Sequence, residues 1–354
     1  MLVRAKAGAG MNELERLVER ASRNPACIAL AEGEDRRVLE AAVRVQADGL
    51  SAPILVGDAG KISAGLKDLG ANAGRFRIED PKASGLSKRF IDRYLELRRM
   101  KGASEADAQA AIADPMGFAA MLVREGEADG MIGGAVATTA HTVRTALQIV
   151  GRAADATIVS SFFLMLLTAR QHREKGALVF ADCGLVVEPN AEELAQIALS
   201  SARSCRALIG ADPRVAMLSF STMGSAIHER VEKVVRATQI VRRAEPQLLI
   251  DGEMQFDTAF EPVVNTMKAP NSLTRGQANV FIFPNLEAGN IGYKIAQRIG
   301  GATAIGPVLQ GLAKPCNDLS RGCSVNDIYA MIAVTTVQYR SLVQGTGCQA
   351  HTGC

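Results

Sequence analysis

The sequence predicts an α/β protein of two domains, with helices covering largely parallel sheets. Three observations carry that reading. Short apolar runs alternate with helical patterns along nearly the whole chain; the turns after those runs are polar and rich in glycine; and 354 residues exceed the length at which one core usually stops growing.

The elements follow in order. Leu14, Leu17 and Val18 have the spacing of an amphipathic helix near the start. "CIALAEGEDRRVLEAAVRVQADG" then reads as strand, polar turn and helix, and "APILVGD" as a second strand. "DGMIGGAVATTAHTVRTALQIVG" repeats the plan, Gly133 and Gly134 ending a strand and Thr138 or Thr139 capping a helix. The apolar segment "IVSSFFLMLL", residues 158 to 167, reads as a buried helix about half the length needed to cross a bilayer. In "GALVFADCGLVVEPNAEELAQIALSSA" Asn190 and Glu193 have capping-box spacing. "RVAMLSFST", "PQLLIDGEMQF" and "ANVFIFPNLEAGNIGYKIAQRIG" supply further strand-then-turn units. The Gly/Ala-rich "VGRAADAT" and the "GATAIGP" at 301 to 307 mark domain crossings. They divide the chain into 1–155, 156–306 and 307–354, and the expected assignment is a discontinuous first domain, 1–155 plus 307–354, with 156–306 as the second.

Composition removes several classes of function. Forty basic against thirty-seven acidic side chains leave a charge of +3, too little for a general attraction to nucleic acid or membrane. Aromatic residues are 4% of the chain and Trp is absent, so stacking platforms for single strands are missing. The start has no apolar stretch of signal-peptide length, and seven cysteines without a CxxC pair read as reduced cytosolic thiols. Cys348, His351 and Cys354 make an incomplete zinc site on a terminus expected to be loose, as is the N-terminal "MLVRAKAGAG". Neither GxxxxGK[ST] nor a helix-opening GxGxxG nor HExxH occurs, so no bound nucleotide, dinucleotide cofactor or metal is expected.

In open α/β sheets, ligands bind at the turns after the strands' carboxyl ends. Here those turns are "AEGEDR", "GGAVATTA", "SFSTMGSA", "DGEMQFD" and "PNLEAGN". One further stretch, "NDLSRGCSVNDI" at 317 to 328, gathers Asp, Asn, Ser, Arg and Cys just ahead of the apolar "YAMIAVTTVQ". With a helix starting near Ser324, "DLSRGC" becomes the loop leading in, where backbone N–H groups favour anions. Spacing alone leaves two readings open: a reactive corner, or Ser324 and Asp327 capping the helix while Arg321 pairs with a neighbour.

The runs "GPVLQGLAKPCNDLSRGCSVNDI", "NLEAGNIGYKIAQRIGG", "VAMLSFSTMGSA", "LRRMKG" and "TTAHTVRTALQIVG" together resemble the phosphate acetyltransferase (phosphotransacetylase) family, in order from about residue 12 to 340. "SSFFLML" and "FADCGLVVEPNAEELAQIAL" also resemble its ethanolamine-utilisation branch. The resemblance implies two three-layer α/β/α domains like those of isocitrate and isopropylmalate dehydrogenases, an active site in a cleft between them, and a homodimer formed through the second domain. It implies reversible transfer of an acetyl group between acetyl phosphate and CoA in the cytoplasm, or inside a bacterial microcompartment. No tightly bound cofactor is implied, CoA being a substrate. Carried over residue by residue, the catalytic set is Ser320, Arg321 and Asp327, and the substrate-binding residues are Arg98 and Arg144. Arg99 adjoins Arg98 and competes for its place. Tyr293 and Lys294 match a polar loop lining the cleft.

The chemistry fits those residue types. A thiol of pKa about 8.5 is only about 3% thiolate at neutral pH, so attack on an acyl phosphate calls for a base, here Asp327. Ser320 suits donation to the carbonyl oxygen as it gains charge, and the arginines suit bidentate binding of phosphoryl oxygens. Alternatives are transfer of a longer acyl group, propionyl or butyryl; a metal-dependent dehydrogenase using Asp251 and Asp257; and a silent regulatory domain of the same fold.

Overall fold

The computed structural model describes residues 11–169, 172 and 176–346. The N-terminal "MLVRAKAGAG" and the tail with Cys348, His351 and Cys354 lie outside the described residues. Contacts divide the chain into two compact units, 1–154 with 312–354 and 155–311.

The first unit opens with α1 (Glu13–Arg23), capped by reciprocal bonds between Asn12 and Glu15. It continues through β1 (Cys27–Leu30), α2 (Arg36–Ala47), β2 (Ala52–Val56), α3 (Ala59–Asp68), β3 (Arg77–Glu79), α4 (Ser87–Arg98), α5 (Glu105–Ala113), α6 (Pro115–Arg124), β4 (Gly130–Gly133) and α7 (Thr139–Ile149). Thr138 caps α7, its side chain accepting from His141 N–H.

The second unit holds β5 (Ser160–Leu166), β6 (Ala177–Ala181), α8 (Ala191–Leu208), β7 (Arg214–Leu218), α9 (Glu229–Ala244), β8 (Leu249–Met254), α10 (Phe256–Phe260), α11 (Pro262–Lys268), β9 (Val280–Ile282), α12 (Leu286–Arg298) and β10 (Thr303–Gln310). The chain then returns to the first unit with β11 (Cys316–Asp318) and α13 (Val325–Thr346).

The first sheet has order β11-β4-β1-β2-β3 and is parallel throughout. Its inner strands are buried along their length, as expected where helices cover both faces. α6 packs on β1, β2 and β4; α13 packs on β1, β4 and β11, with α1 and α2 against it. The second sheet has order β10-β5-β6-β9-β7-β8, with β10, β5 and β6 antiparallel and the remaining pairs parallel. Its core is aromatic: Phe163, Phe180, Phe281 and Phe283 cluster with Met165 and Met254.

Three expectations change. "IVSSFFLMLL" is not a helix; it supplies β5, paired with β6 on one side and β10 on the other and buried at every position. A run buried on both faces has no alternation, so periodicity cannot tell it from a buried helix. The return to the first unit falls at Leu312 rather than at residue 307, because β10 continues past Pro307 through a register shift between Ile305 and Val308. The thiols are not uniformly reduced: Cys183, Cys205, Cys316 and Cys323 are free and Cys27 is disulfide-bonded.

The turn after β6 depends on one carboxylate. Buried Asp182 accepts from Ser161 N–H and Oγ–H and from the N–H groups of Gly184, Leu185 and Val186. Asp182→Ala leaves these buried and half-buried donors without their acceptor, and we expect it to lower stability by about 3 kcal/mol. A denaturant midpoint that moves little would show that the turn does not need this carboxylate.

Candidate active site

At the carboxyl edge of the first sheet, β4 and β11 lie side by side, so the turns that follow them are neighbours. Asn317 anchors β11 to α13 through Thr335 Oγ1 at 2.9 Å and Gln338 Oε1 at 2.7 Å. Leu319 N–H donates to Gly133 O at 2.7 Å, after which Ser320, Arg321 and Gly322 emerge into solvent. The turn closes with Cys323 N–H donating to Ser320 O at 2.9 Å.

Arg37, the second residue of α2, holds this turn. Its Nη1 donates to Arg321 O at 2.8 Å and Cys323 O at 3.1 Å, while Nη2 donates to Ala135 O at 2.8 Å. Asp35 pairs with the same guanidinium at 2.8 Å. That hydrogen-bonded pairing raises the Arg37 pKa and lowers the Asp35 pKa. One planar fork thus joins the turns after β1, β4 and β11, a geometry that an ammonium does not reproduce. Beside it Glu32 accepts from the N–H groups of Ala135, Val136 and Ala137 at 2.6, 3.0 and 2.6 Å. Sequence reading marked both turns as ligand-bearing and missed Arg37 and Glu32, whose partners lie roughly a hundred or more residues away; "AEGEDR" contains Glu32 but ends at Arg36, one residue short of Arg37.

Asp327 stands in the first turn of α13 and is exposed. Its Oδ2 accepts from Ser324 N–H and Oγ–H, both at 2.8 Å, and Ser324 Oγ accepts from Asp327 N–H at 3.2 Å. The capping reading therefore holds for Oδ2, and among the described residues Oδ1 has no partner. Arg321 does not pair with a neighbour: its guanidinium, like that of exposed Arg144 on α7, makes no hydrogen bond or ion pair among the described residues. Burial pushes the Cys323 thiol up, which keeps it protonated.

A second carboxyl lies beneath. Asp318, the last residue of β11, is 0% exposed. Thr139 Oγ1 donates to its Oδ2 at 2.6 Å, and its Oδ1 has no hydrogen-bond partner. Gly134 gives it room: with φ at +100°, a Cβ there would stand 2.3 Å from Asp318 Oδ1 and 2.7 Å from Leu319 O. Burial raises the Asp318 pKa to about 6, with the Glu32 charge adding to it and the bond from Thr139 opposing it.

The remaining expected residues are placed otherwise. Arg98 ends α4, a helix packed on α5 and α6, and no contact described here joins its side chain to the 319–324 turn. Arg99 begins the short 3₁₀ turn beyond and is more exposed. Tyr293 and Lys294 belong to the second unit and lie on α12, not in a loop. Two glycines there serve close packing rather than a turn: a Cβ at Gly289 would meet Asp182 O at 2.2 Å, and one at Gly292 the Phe283 ring at 3.0 Å. Tyr293 stacks on Phe163 at 3.9 Å between ring centroids, and burial raises its hydroxyl pKa. Asp251 and Asp257 are engaged, the first by Ser272, Thr274 and Arg242 and the second by Lys268. Among the described residues no cluster of His, Cys, Asp and Glu has the makings of a metal site.

Asp318 gives a pH-dependent stability. Its folded-state pKa of about 6 lies above the unfolded value of 3.8, so its contribution is fully present below pH 3.8 and lost as pH rises through 6. The cost at neutral pH is of order 3 kcal/mol. Asp318→Asn keeps an acceptor for Thr139 without the charge. Its melting temperature should exceed that of the unsubstituted protein by a margin that grows from pH 5 to pH 8; an unchanging margin would contradict the buried-charge account.

Comparison with known proteins gives this arrangement its family. The profile of the family described as phosphate acetyl/butaryl transferase matches residues 13–336, a span that contains Arg98, Arg144, Tyr293, Lys294, Ser320, Arg321 and Asp327. A phosphate acetyltransferase of Paracoccus denitrificans is 50% identical over 328 residues, 93% of this chain and 99% of its own. The structure of a phosphotransacetylase, EutD, from Staphylococcus aureus has a TM-score of 0.85 at 42% identity, covering 92% of this chain and 98% of that one. A putative 4-hydroxythreonine-4-phosphate dehydrogenase from Salmonella typhimurium shares the fold alone, with a TM-score of 0.53 at 10% identity over 89% of this chain and 99% of that one. A dehydrogenase-like fold has here been put to other use, and the chain belongs to the phosphate acetyl/butaryl transferase family.

Proposed function

We propose that this protein is a phosphate acetyltransferase, moving an acetyl group reversibly between acetyl phosphate and CoA. The observation that carries the reading is the exposed Ser320–Arg321 turn, tethered by Arg37 to two neighbouring turns and adjoined by an Asp327 whose Oδ1 is free. Family membership supports the reaction, and the donors and acceptors at this edge suit its steps.

In this mechanism Asp327 Oδ1 accepts the thiol proton as sulfur attacks the carbonyl carbon. Between a free thiol and a free carboxylate in water, complete proton transfer costs roughly 6 kcal/mol, so transfer is coupled to attack. Ser320 Oγ donates to the carbonyl oxygen as it gains charge, and direct attack by CoA leaves Ser320 unacylated. Arg321 and Arg144 bind phosphoryl oxygens, and Arg98 a further substrate phosphate. Tyr293 and Lys294 join the substrate contacts on the strength of the resemblance. No resident cofactor enters any step.

We further infer a homodimer formed through the second domain. α12 exposes Ile291, Ile295 and, at its C-cap, Ile299, an apolar stripe one helical turn apart that suits a second copy. A cytoplasmic location follows from the substrates, which are intracellular metabolites; the likeness to EutD suggests the interior of a microcompartment as the finer site.

The test is loss of CoA thiol on mixing purified protein with acetyl phosphate, without added metal. Asp327→Asn is expected to lower kcat roughly 10²- to 10⁴-fold. Ser320→Ala should lose about 10²-fold, the scale of one oxyanion donor. Arg37→Met, which releases the turn without touching substrate, should cost about 10²-fold in kcat by misplacing both groups. Full activity in Asp327→Asn would remove it as the base, and a trapped acetyl-Ser320 would replace direct attack with a covalent route.

A further inference from the structure

We propose that Thr139 and Asp318 form a proton relay that supplies the departing phosphate with its proton. The proposal rests on the acetyl-transfer reading above and deepens it, because that reading accounts for the proton taken from CoA and not for the one that phosphate needs.

The need comes from the leaving group. Acetyl phosphate is a dianion near neutral pH. When its C–O bond breaks with the electron pair on the bridging oxygen, the product is trianionic phosphate unless a proton arrives. The third ionisation of phosphate lies far above neutral pH, so a donor at that oxygen lowers the barrier directly. Asp327 is assigned to the thiol, so the bridging oxygen calls for a donor of its own.

The geometry points to the pair beneath the Ser320–Arg321 turn. Asp318 is 0% exposed and has an orphan Oδ1, yet its Oδ2 is joined at 2.6 Å to the hydroxyl of Thr139, a residue that faces solvent. A buried carboxyl is thereby wired to the surface through one hydroxyl. That hydroxyl emerges in the first turn of α7, the helix bearing Arg144, and Asp318 stands two residues before Ser320. The wire therefore ends at the sheet edge that carries the Ser320–Arg321 turn. An Asp used only to hold Thr139 would gain nothing from its charge, since an amide accepts the same bond without the cost of burying an anion.

The step balances. Thr139 Oγ1–H passes its proton to the bridging oxygen, Asp318 Oδ2–H replaces it on Oγ1, and the C–O bond breaks to release HPO₄²⁻. Asp318 is left ionised and Asp327 protonated. One proton leaves Asp327 for water and one returns from water to Asp318, so the net transfer is from CoA to phosphate. In the reverse direction each move runs backward.

Asp318 suits this duty because burial, with Glu32 from the β1–α2 turn, holds its pKa near 6, and a bound dianion pushes it further up. The other titratable groups at this edge are His141 on α7, held by Asp114 at 2.8 Å, Asp35 paired with Arg37, and Asp327.

The experiment measures kcat and KM for CoA against pH in the intact protein and in Thr139→Val, Thr139→Ser and Asp318→Asn. Thr139 follows the helix cap, so both of its variants should fold. The relay predicts that Thr139→Val loses roughly 10²-fold in kcat with KM for CoA within about twofold, whereas Thr139→Ser stays within about threefold of the unsubstituted enzyme. Asp318→Asn, where folded, should be slow and should lack the fall in kcat that deprotonation of the relay produces on the alkaline side. Wild-type kcat and pH profile in Thr139→Val would overturn the proposal, as would equal losses in Thr139→Val and Thr139→Ser. An unsubstituted protein that does not consume CoA thiol would instead overturn the acetyl-transfer reading beneath it.

Discussion

Three residues, Cys316–Asp318, bring the chain back into the first sheet after it has built the second unit, and the candidate site depends on that short strand. β11 has a single strand neighbour, β4, and so few ladder bonds that side chains must complete its attachment. The Asn317 side chain does so toward α13, and the backbone N–H of Leu319 adds a bond to Gly133 O at the end of β4. Because the strand is parallel, its carboxyl end necessarily opens beside that of β4, and the two following turns meet. The tight approach at Gly134 is the consequence, since a side chain there would occupy the space of Asp318 Oδ1.

The charges at this edge have a division of labour. Acids are committed inward or sideways: Glu32 to three backbone N–H groups, Asp35 to Arg37, Asp318 to Thr139. Arg37 is likewise spent on carbonyls and Asp35, which leaves Arg321 and Arg144 as guanidiniums with donors to spare for an anion. Had Glu32 stood free, its charge would have opposed a phosphate at the same edge; bonded to the 135–137 backbone, it neutralises a cluster of N–H dipoles and stiffens the turn. Preorganisation of this kind is most effective in a turn held by distant partners, because a free loop would have to be ordered each time substrate bound.

Local rules explain what the sequence made legible. Thr138, Asn190 and Ser324 act within a few residues of themselves, so their caps could be read from spacing. The alternation of strands and helices was equally plain, because each apolar run is bounded by its own turn. What escaped reading is tertiary. β5 looks helical until β6 and β10 flank it, and the glycines before Tyr293 look like loop residues until Asp182 O and the Phe283 ring are found where their side chains would be. Arg37 reaches Arg321 across 284 positions of sequence, and no pattern within the α2 region hints at it. Asp318 was visible as an acid in "NDLSRGC", but its burial and its hydroxyl partner belong to the fold.

The two readings that spacing left open for Asp327, cap or base, are compatible because a carboxylate has two oxygens. Capping engages Oδ2 with Ser324 N–H and Oγ–H, which fixes the side-chain rotamer against the first turn of α13 and thereby aims Oδ1. A base that had to find its orientation after substrate arrived would lose the advantage of proximity. The proton moves as the carbon–sulfur bond forms, when the thiol is becoming more acidic. The capping bond, which at first argued for a merely structural Asp, is thus the means by which an exposed carboxylate becomes a directed one.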